Sequence, residues 1–265
     1  MQKQPIDLTP TQVSILARCP LHYHFFQQYS THYRHTQADQ DLNALVRETI
    51  QYLHTAGGPT RLALADCLVR VAGYPAATEM VEAYYHRLQR DWGRVLAVNE
   101  QMSLRISIGQ VSLSLHATID RLDKTRDGGL LAIIFHTESG SPLATDDLRH
   151  DLGMTVYHAL VAAAYPLKRP IRLQQLWLRA NREVTIELSE EEYRLNLSRL
   201  REPVQSLARS EVMARPGLHC ERCPFKYRGC PVYAHDAPPP SNTPDDFDPA
   251  DTDGKIHPRQ WIFKI

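Results

Sequence analysis

The order of periodicities along the 265-residue chain predicts an α/β fold with a mixed central sheet and flanking helices. Three observations carry this. The first ninety-odd residues place apolar side chains at helical spacing, residues 101–137 switch to alternation, and the remainder returns to a helix, two strands and a last helix. Helices, three strands, a helix, two strands and a helix is not the regular alternation of a doubly wound sheet.

The first helix is expected to begin near Thr11, whose hydroxyl can accept from free backbone N–H groups, and to run through VSILARC until Pro20 interrupts it. LHYHFFQQYS reads as a second, aromatic helical stretch, and LNALVRETIQYLHT (42–55) as a third. Residues 60–95 hold one or two more, divided by Gly-Tyr-Pro at 73–75. The alternating run QMSLRISIGQVSLSLHATIDRL (101–122) predicts a hairpin about Ile-Gly-Gln. LLAIIFHT (130–137) adds a strand after the turn Thr-Arg-Asp-Gly-Gly. One helix is expected over 147–165, then strands IRLQQLWLRA and EVTIELS, then one long helix from Ser189, with three glutamates at the positive end of its dipole.

Composition bounds the function. Formal net charge is zero and 23% of residues are charged, which excludes the strongly basic character of many autonomous nucleic-acid binders. No run of eighteen apolar residues and no signal-like start is present, so a soluble, cytoplasmic protein without a membrane partner is expected. A main domain is read over 1–233 and a tail over 234–265. HDAPPPSNTPDDFDPADTDG is too rich in Pro and Asp to build a core. Its six aspartates, Asp236, Asp245, Asp246, Asp248, Asp251 and Asp253, can repel DNA or cover a basic groove. The terminal Trp261, Ile262, Phe263 and Ile265 can anchor on this subunit or a partner.

Five cysteines without a secretion signal argue against a disulfide framework. Cys220 and Cys223, with Cys230 close behind in LHCERCPFKYRGCPVY, have the spacing that brings thiolates round one centre. A fourth ligand is open among Cys19, Cys67, His219 and His235. Cys67 lies in the apolar helical pattern ALADCLVRVA and reads as a buried thiol. Cys19 is followed by proline, as are Cys223 and Cys230, and is the better ligand. His22, His24, His32 and His35 read as aromatic packing and surface histidines.

With TPTQVSILARCP at 9–20 and three cysteines near residue 220, the chain resembles the iron–sulfur-containing RecB-like branch of the PD-(D/E)XK nuclease superfamily. Relatives there include CRISPR-associated RecB-like exonucleases and the AddB nuclease domain. The resemblance implies a restriction-endonuclease-like core with a C-terminal iron–sulfur staple, a [4Fe–4S] cluster on Cys19, Cys220, Cys223 and Cys230. Zinc is the alternative for four thiolates. Closing a loop of about two hundred residues would hold the two ends of the domain together.

The same resemblance locates the catalytic positions, where the chain departs from the family. Such nucleases hold Mg²⁺ or Mn²⁺ on carboxylates beside a lysine, so that the metal activates water and positive charge offsets the phosphoryl oxygens. Asp120 in HATIDRLDK takes the first acidic place. In IIFHTESG, however, Phe135 stands for the second carboxylate and Thr137 for the lysine. Arg47 stands where relatives have a metal-binding histidine. Tyr157 fits the helix motif, but Gly153 replaces its glutamine. A relocated site on His116, Asp120 and Glu138, with His136, is the runner-up, although strand alternation points His136 and Glu138 away from Phe135 and Thr137. Asp120 alone would pair with Arg121 or Lys124.

A silent nuclease fold can still bind DNA. Arg47, Arg121, Lys124, Arg126, Arg179 and Arg182 are candidates about the cleft, and Arg222, Lys226, Tyr227 and Arg228 near the cysteines. Three functions are expected in order: a noncatalytic DNA-binding or scaffold component of a DNA-processing or defence complex with a protein partner, a metal-dependent exonuclease with a relocated site, and a protein-interaction module acting through the tail.

Overall fold

The computed structural model describes residues 5–29, 37–140, 142–227 and 229–233, apart from the side chains of 29, 37–40 and 222. The sequence readings of His32, His35, Arg228, His235 and the whole 234–265 tail, and of the Arg222 side chain, lie outside the described residues. In chain order the elements are β1 (Ile6–Leu8), α1 (Pro10–Arg18), α2 (Pro20–Tyr29), α3 (Gln37–Thr55), α4 (Leu64–Arg70), α5 (Pro75–Asp91), β2 (Val95–Ile108), β3 (Val111–Lys124) and β4 (Leu130–His136). They continue with α6 (Thr145–His150), α7 (Leu152–Ala164), β5 (Ile171–Trp177), β6 (Arg182–Glu187), α8 (Glu190–Arg199) and α9 (Arg201–Ala208).

Apart from the short β1 at the start, the order matches the sequence reading, with three corrections to the helices. The cap of α1 is Thr9, not Thr11: its Oγ1 accepts from the Gln12 N–H at 3.3 Å while Gln12 Oε1 accepts from the Thr9 N–H at 2.8 Å. Pro10 then sits in the first turn, where a missing N–H costs nothing. The helix expected over 147–165 is two, because the Asp151 carboxylate accepts from the Met154 N–H and so starts α7 afresh. The long helix from Ser189 also breaks, at Leu200. Pro203 is tolerated in the first turn of α9, whereas a continuous helix would drive its ring into the carbonyl of Arg199.

Six strands form one mixed sheet, β1-β3-β4-β5-β6, with β2 also on β3. The β2–β3 hairpin closes through a two-residue loop in which Gly109, at φ 63°, supplies the positive φ such loops need. β4 and β5 are parallel, β3–β4 and β5–β6 antiparallel. The short β1, not foreseen, pairs parallel with Leu113–Leu115 of β3.

Helices cover both faces. Along β4, Leu130, Ala132 and Ile134 enter a core with α1, α7 and α9, while Ile133 and Phe135 enter another with α3, α4 and α5. A central strand buried on both sides explains why LLAIIF is continuously apolar. Cys67 is fully buried in the second core, as expected. A third, small cluster joins Cys19, Leu21 and Phe25 to Phe225. No helix of the described residues is long and apolar enough to cross a membrane.

Two buried histidines give the fold an acid sensitivity. His54 binds the Tyr84 hydroxyl at 2.7 Å, and burial, reinforced by the charge of Arg121, pushes its pKa down to about 4. His158, 8% exposed and packed on Tyr193, is pushed down to about 4 by burial and by Arg169. Both are neutral in the native state at neutral pH, whereas the unfolded chain takes up their protons below its ordinary value near 6.5. Their contribution is therefore present above that value and is lost as pH falls toward about 4. Melting curves from pH 7 to 4.5 should show His158→Phe losing about 1–3 kcal/mol less than the parent across that interval. Parallel pH profiles would contradict the assignment.

Candidate functional site

The candidate site is a gap in the sheet. On one edge β3 pairs with β2 almost throughout, from Val111 to Asp123. Its other edge is shared end to end, with β1 on 113–115 and β4 on 121–124. Among the described residues, 116–120 between them have strand partners on the β2 side alone. The chain leaves this edge at Thr9 to enter α1, and β4 diverges beyond Ile133. The wedge so opened is a cleft of about 970 Å³ that reaches Thr9, Arg47, His116, Asp120, His136, Glu138 and Tyr157.

Asp120, 6% exposed, closes the ladder where the strands part. Its Oδ2 accepts from the Phe135 N–H at 2.7 Å, taking the place of a backbone carbonyl. A carboxylate so buried requires a positive partner. That partner is Arg47 of α3, and not Arg121 or Lys124 as the sequence suggested. Arg47 Nη1 pairs with Asp120 Oδ1, Nη2 donates to the Phe135 carbonyl at 2.8 Å, and Nε donates to Asn43 Oδ1 at 2.9 Å. Thr137 Oγ1 donates to the same Asn43 oxygen at 2.9 Å. Burial pulls the Arg47 pKa below the usual arginine value, and the neighbouring Tyr157 and Glu138 oppose that pull.

His136 and Glu138 belong to the cleft, contrary to what strand alternation predicts. Phe135 does go under α5, edge-on to Tyr84, and Thr137 toward α3. At the gap, though, no sheet separates the two faces, so His136 and Glu138 wall the cleft with Asp120. His136 stacks on Trp177 with centroids 4.5 Å apart, and its Nδ1 lies 2.6 Å from Glu138 Oε1. His116 is exposed on the cleft wall. Gly153 has a packing reason: a Cβ there would stand 2.3 Å from Ser14 Oγ and 2.6 Å from the Pro10 carbonyl, so α1 occupies the space a longer side chain would need.

Of the basic candidates, Arg121 is corrected outright. It is 1% exposed, binding Asp123 with Nε at 2.7 Å and facing Asp91 at 3.7 Å, so it meets no ligand at the surface of the cleft. Lys124 and Arg126 line a different pocket beside α5. Arg179 donates to Ser139 Oγ. Lys226 lies over the rings of Tyr227 and Tyr233 at 5.0 and 5.1 Å.

The four cysteines read from sequence wall one pocket with Phe25 and Phe225. Cys19 arrives as the C-cap of α1. The Arg215 N–H donates to its sulfur at 3.4 Å, while Arg215 side-chain nitrogens bind the Ala17 carbonyl and Glu202. Backbone groups of Phe225 face Cys223, and those of Val232 and Tyr233 face Cys230. Burial pushes both thiols up, with further pressure from the other cysteines. Backbone groups thus face three of the four sulfurs and the Tyr233 hydroxyl faces Cys220; sulfur is the donor type that a cluster or zinc takes. Among the described residues no three His, Cys, Asp or Glu are arranged to hold an ion, in this pocket or in the cleft.

None of the curated proteins matches the sequence. A crystal structure of SSO0001 aligns over 87% of this chain and 88% of its own, with 14% identity and a TM-score of 0.45. A candidate exonuclease from Eubacterium rectale aligns over 90% of each chain, with 10% identity and a TM-score of 0.48. The family model that describes the PD-(D/E)XK nuclease superfamily matches residues 7–231, from β1 to past the last cysteine, and the chain belongs to that superfamily.

Proposed function

We propose that this chain is a RecB-like nuclease fold that has given up catalysis and works as a DNA-binding or scaffold component of a DNA-processing or defence complex. The observation that carries the reading is Arg47, fixed between the Asp120 carboxylate and the Phe135 carbonyl. These two oxygens are the hard acceptors a divalent ion would seek. A guanidinium offsets the buried charge equally well for folding, yet it stays protonated, has no acceptor and cannot lower the pKa of a bound water. A metal ion would also meet the repulsion of a charge already in place.

The other departures support the same reading. Phe135 lies edge-on to Tyr84 where the resemblance expects a second carboxylate, and Thr137 supplies a neutral hydroxyl where it expects a lysine. Within this proposal Cys19, Cys220, Cys223 and Cys230 hold a [4Fe–4S] cluster, with zinc as the competing occupant. Its part is structural, closing the long loop between the N-terminal helix pair and the C-terminal segment.

Three outcomes are expected. Anaerobically purified protein should leave linear single- and double-stranded DNA uncut in Mg²⁺ or Mn²⁺; metal-dependent cleavage abolished by Asp120→Ala would overturn the silent assignment. Arg47→Ala should cost about 2–3 kcal/mol in chemical denaturation, because it strands a buried carboxylate beside a partly exposed gap. Mn²⁺ should then raise the melting temperature of that variant and not of the parent; equal stabilisation of both would show that the guanidinium does not occupy the cation position. Cys19→Ala should lose iron and sulfide together with visible colour, whereas Cys67→Ala should keep them and lose about 1 kcal/mol or more from its core. Full iron content in the first variant would remove Cys19 from the ligand set.

A further inference from the structure

The second pocket noted above, about 340 Å³, lies away from the cleft between the C-terminal half of α5, the turn after β3, and strands β5 and β6. Tyr84 stands between the two sites, edge-on to Phe135 and beside Arg121. Six cations line this pocket, Arg87, Arg90, Arg94, Arg121, Lys124 and Arg126, against three carboxylates, Asp91, Asp123 and Glu183. On a chain of zero formal net charge, that is a local surplus.

The pairing inside the pocket shows which charges are spent. Arg121, buried at its floor, is held by Asp123 and faces Asp91. Arg94 shares Asp91 at 3.6 Å. Arg87 binds Glu183 and donates to Asn181 at 3.2 Å. Asp127, the acid nearest the turn, is engaged by Arg172 at 2.7 Å and by Thr125. Arg90, Lys124 and Arg126 are exposed, and among the described residues none of the three has a carboxylate partner. They come from α5, the end of β3 and the turn that follows it, and surround one concavity.

We infer that this pocket binds the phosphates of a nucleic-acid backbone. Three uncompensated cations on facing elements suit a row of anionic groups better than a single small anion. Phosphodiester contacts of this kind position a strand without reading its bases. The inference rests on the proposed DNA-binding reading and adds to it a contact surface distinct from the Asp120 cleft, one that needs no metal and is indifferent to whether Arg47 silences the fold.

The test uses the full chain and a fluorescein-labelled single-stranded oligonucleotide, titrated at several salt concentrations, with the triple variant Arg90→Ala, Lys124→Ala, Arg126→Ala beside the parent. All three residues are exposed, and an unchanged melting temperature verifies the fold. Affinity should fall about tenfold or more, and the slope of log K against log salt should shrink by about two, as expected when three phosphate contacts on a single strand are lost. Arg90→Lys in the otherwise native chain should keep the slope. Parent protein that binds no oligonucleotide at all would sink the DNA-binding reading and this inference with it. Normal binding by the parent, with the same affinity and slope in the triple variant, would sink this inference alone. Pyrophosphate bound by the parent and lost in the triple variant, without any change in oligonucleotide binding, would reassign the pocket to a free phosphate ligand and overturn the backbone assignment.

Discussion

Two strands compete for one edge of β3, and the five residues left between them govern much of the molecule. β1 approaches parallel from one end and β4 antiparallel from the other, and both stop short of the middle. Pro10, which has no N–H to give a ladder, ends the first claim, and the departure of β4 ends the second. The backbone N–H of Phe135 is then left without a carbonyl, and the Asp120 side chain supplies the acceptor. A buried carboxylate follows from this repair of the sheet. It needs a cation whether or not chemistry is done there, since desolvated charge without a partner is among the costliest things a fold can contain. A divalent ion and a guanidinium both meet the folding requirement. Only the ion offers a site at which water can be activated, so a single change on α3 can separate the stability of this architecture from its reactivity.

The two ends of the domain pose a second problem of the same kind. The described residues between Val212 and Tyr233 have little regular structure beyond one short turn of 3₁₀ helix, and they meet α1 and α2 through a cluster with four buried members, Cys19, Leu21, Phe25 and Phe225. So few apolar side chains cannot by themselves offset the ordering of that much irregular backbone. Arg215 contributes by binding the carbonyl end of α1 and Glu202 at once, and the Leu21 N–H donates to the Met213 carbonyl at 3.1 Å. Three of the four sulfurs about this pocket come from the C-terminal side and one from the end of α1, so a shared inorganic centre, as proposed, would cross-link the two ends.

Much of the fold was legible because it rests on local rules. The period change near residue 100, the Gly109 turn and the Ser189 capping box each declare themselves within a few residues. The breaks at Asp151 and Leu200 were missed since helical periodicity runs through them; Asp and Pro were the signals, and both were visible in the sequence. β1 is three residues long and carries no pattern of its own. At the site, the four cysteines and Asp120 could be named from spacing and resemblance. The Arg47–Asp120 pair could not, because it depends on where α3 crosses the sheet, although Asn43 and Arg47 at i and i+4 place an amide and a guanidinium on one helix face. Arg121 misled for a simple reason: an arginine beside an aspartate on a strand looks exposed until the bulky layer over it, with Tyr84, His54 and Trp92, is in place.

Zero net charge concealed the electrostatic division of the surface. In the cleft, Arg47 is matched by Asp120 and flanked by Glu138 and Tyr157, so this cation exerts little attraction on a passing anion. Attraction must come from charges whose partners are not already in contact. These lie on α5, on the last residue of β3, four positions past Asp120, and in the turn that follows. The separation has a physical logic. A catalytic cleft must put its positive charge on the scissile phosphate, whereas a surface that only holds a strand works as well from a distance, provided its cations remain solvated and unpaired. On the proposed reading, a nuclease fold whose cleft cation is already paired would keep hold of nucleic acid by a surface separate from that cleft.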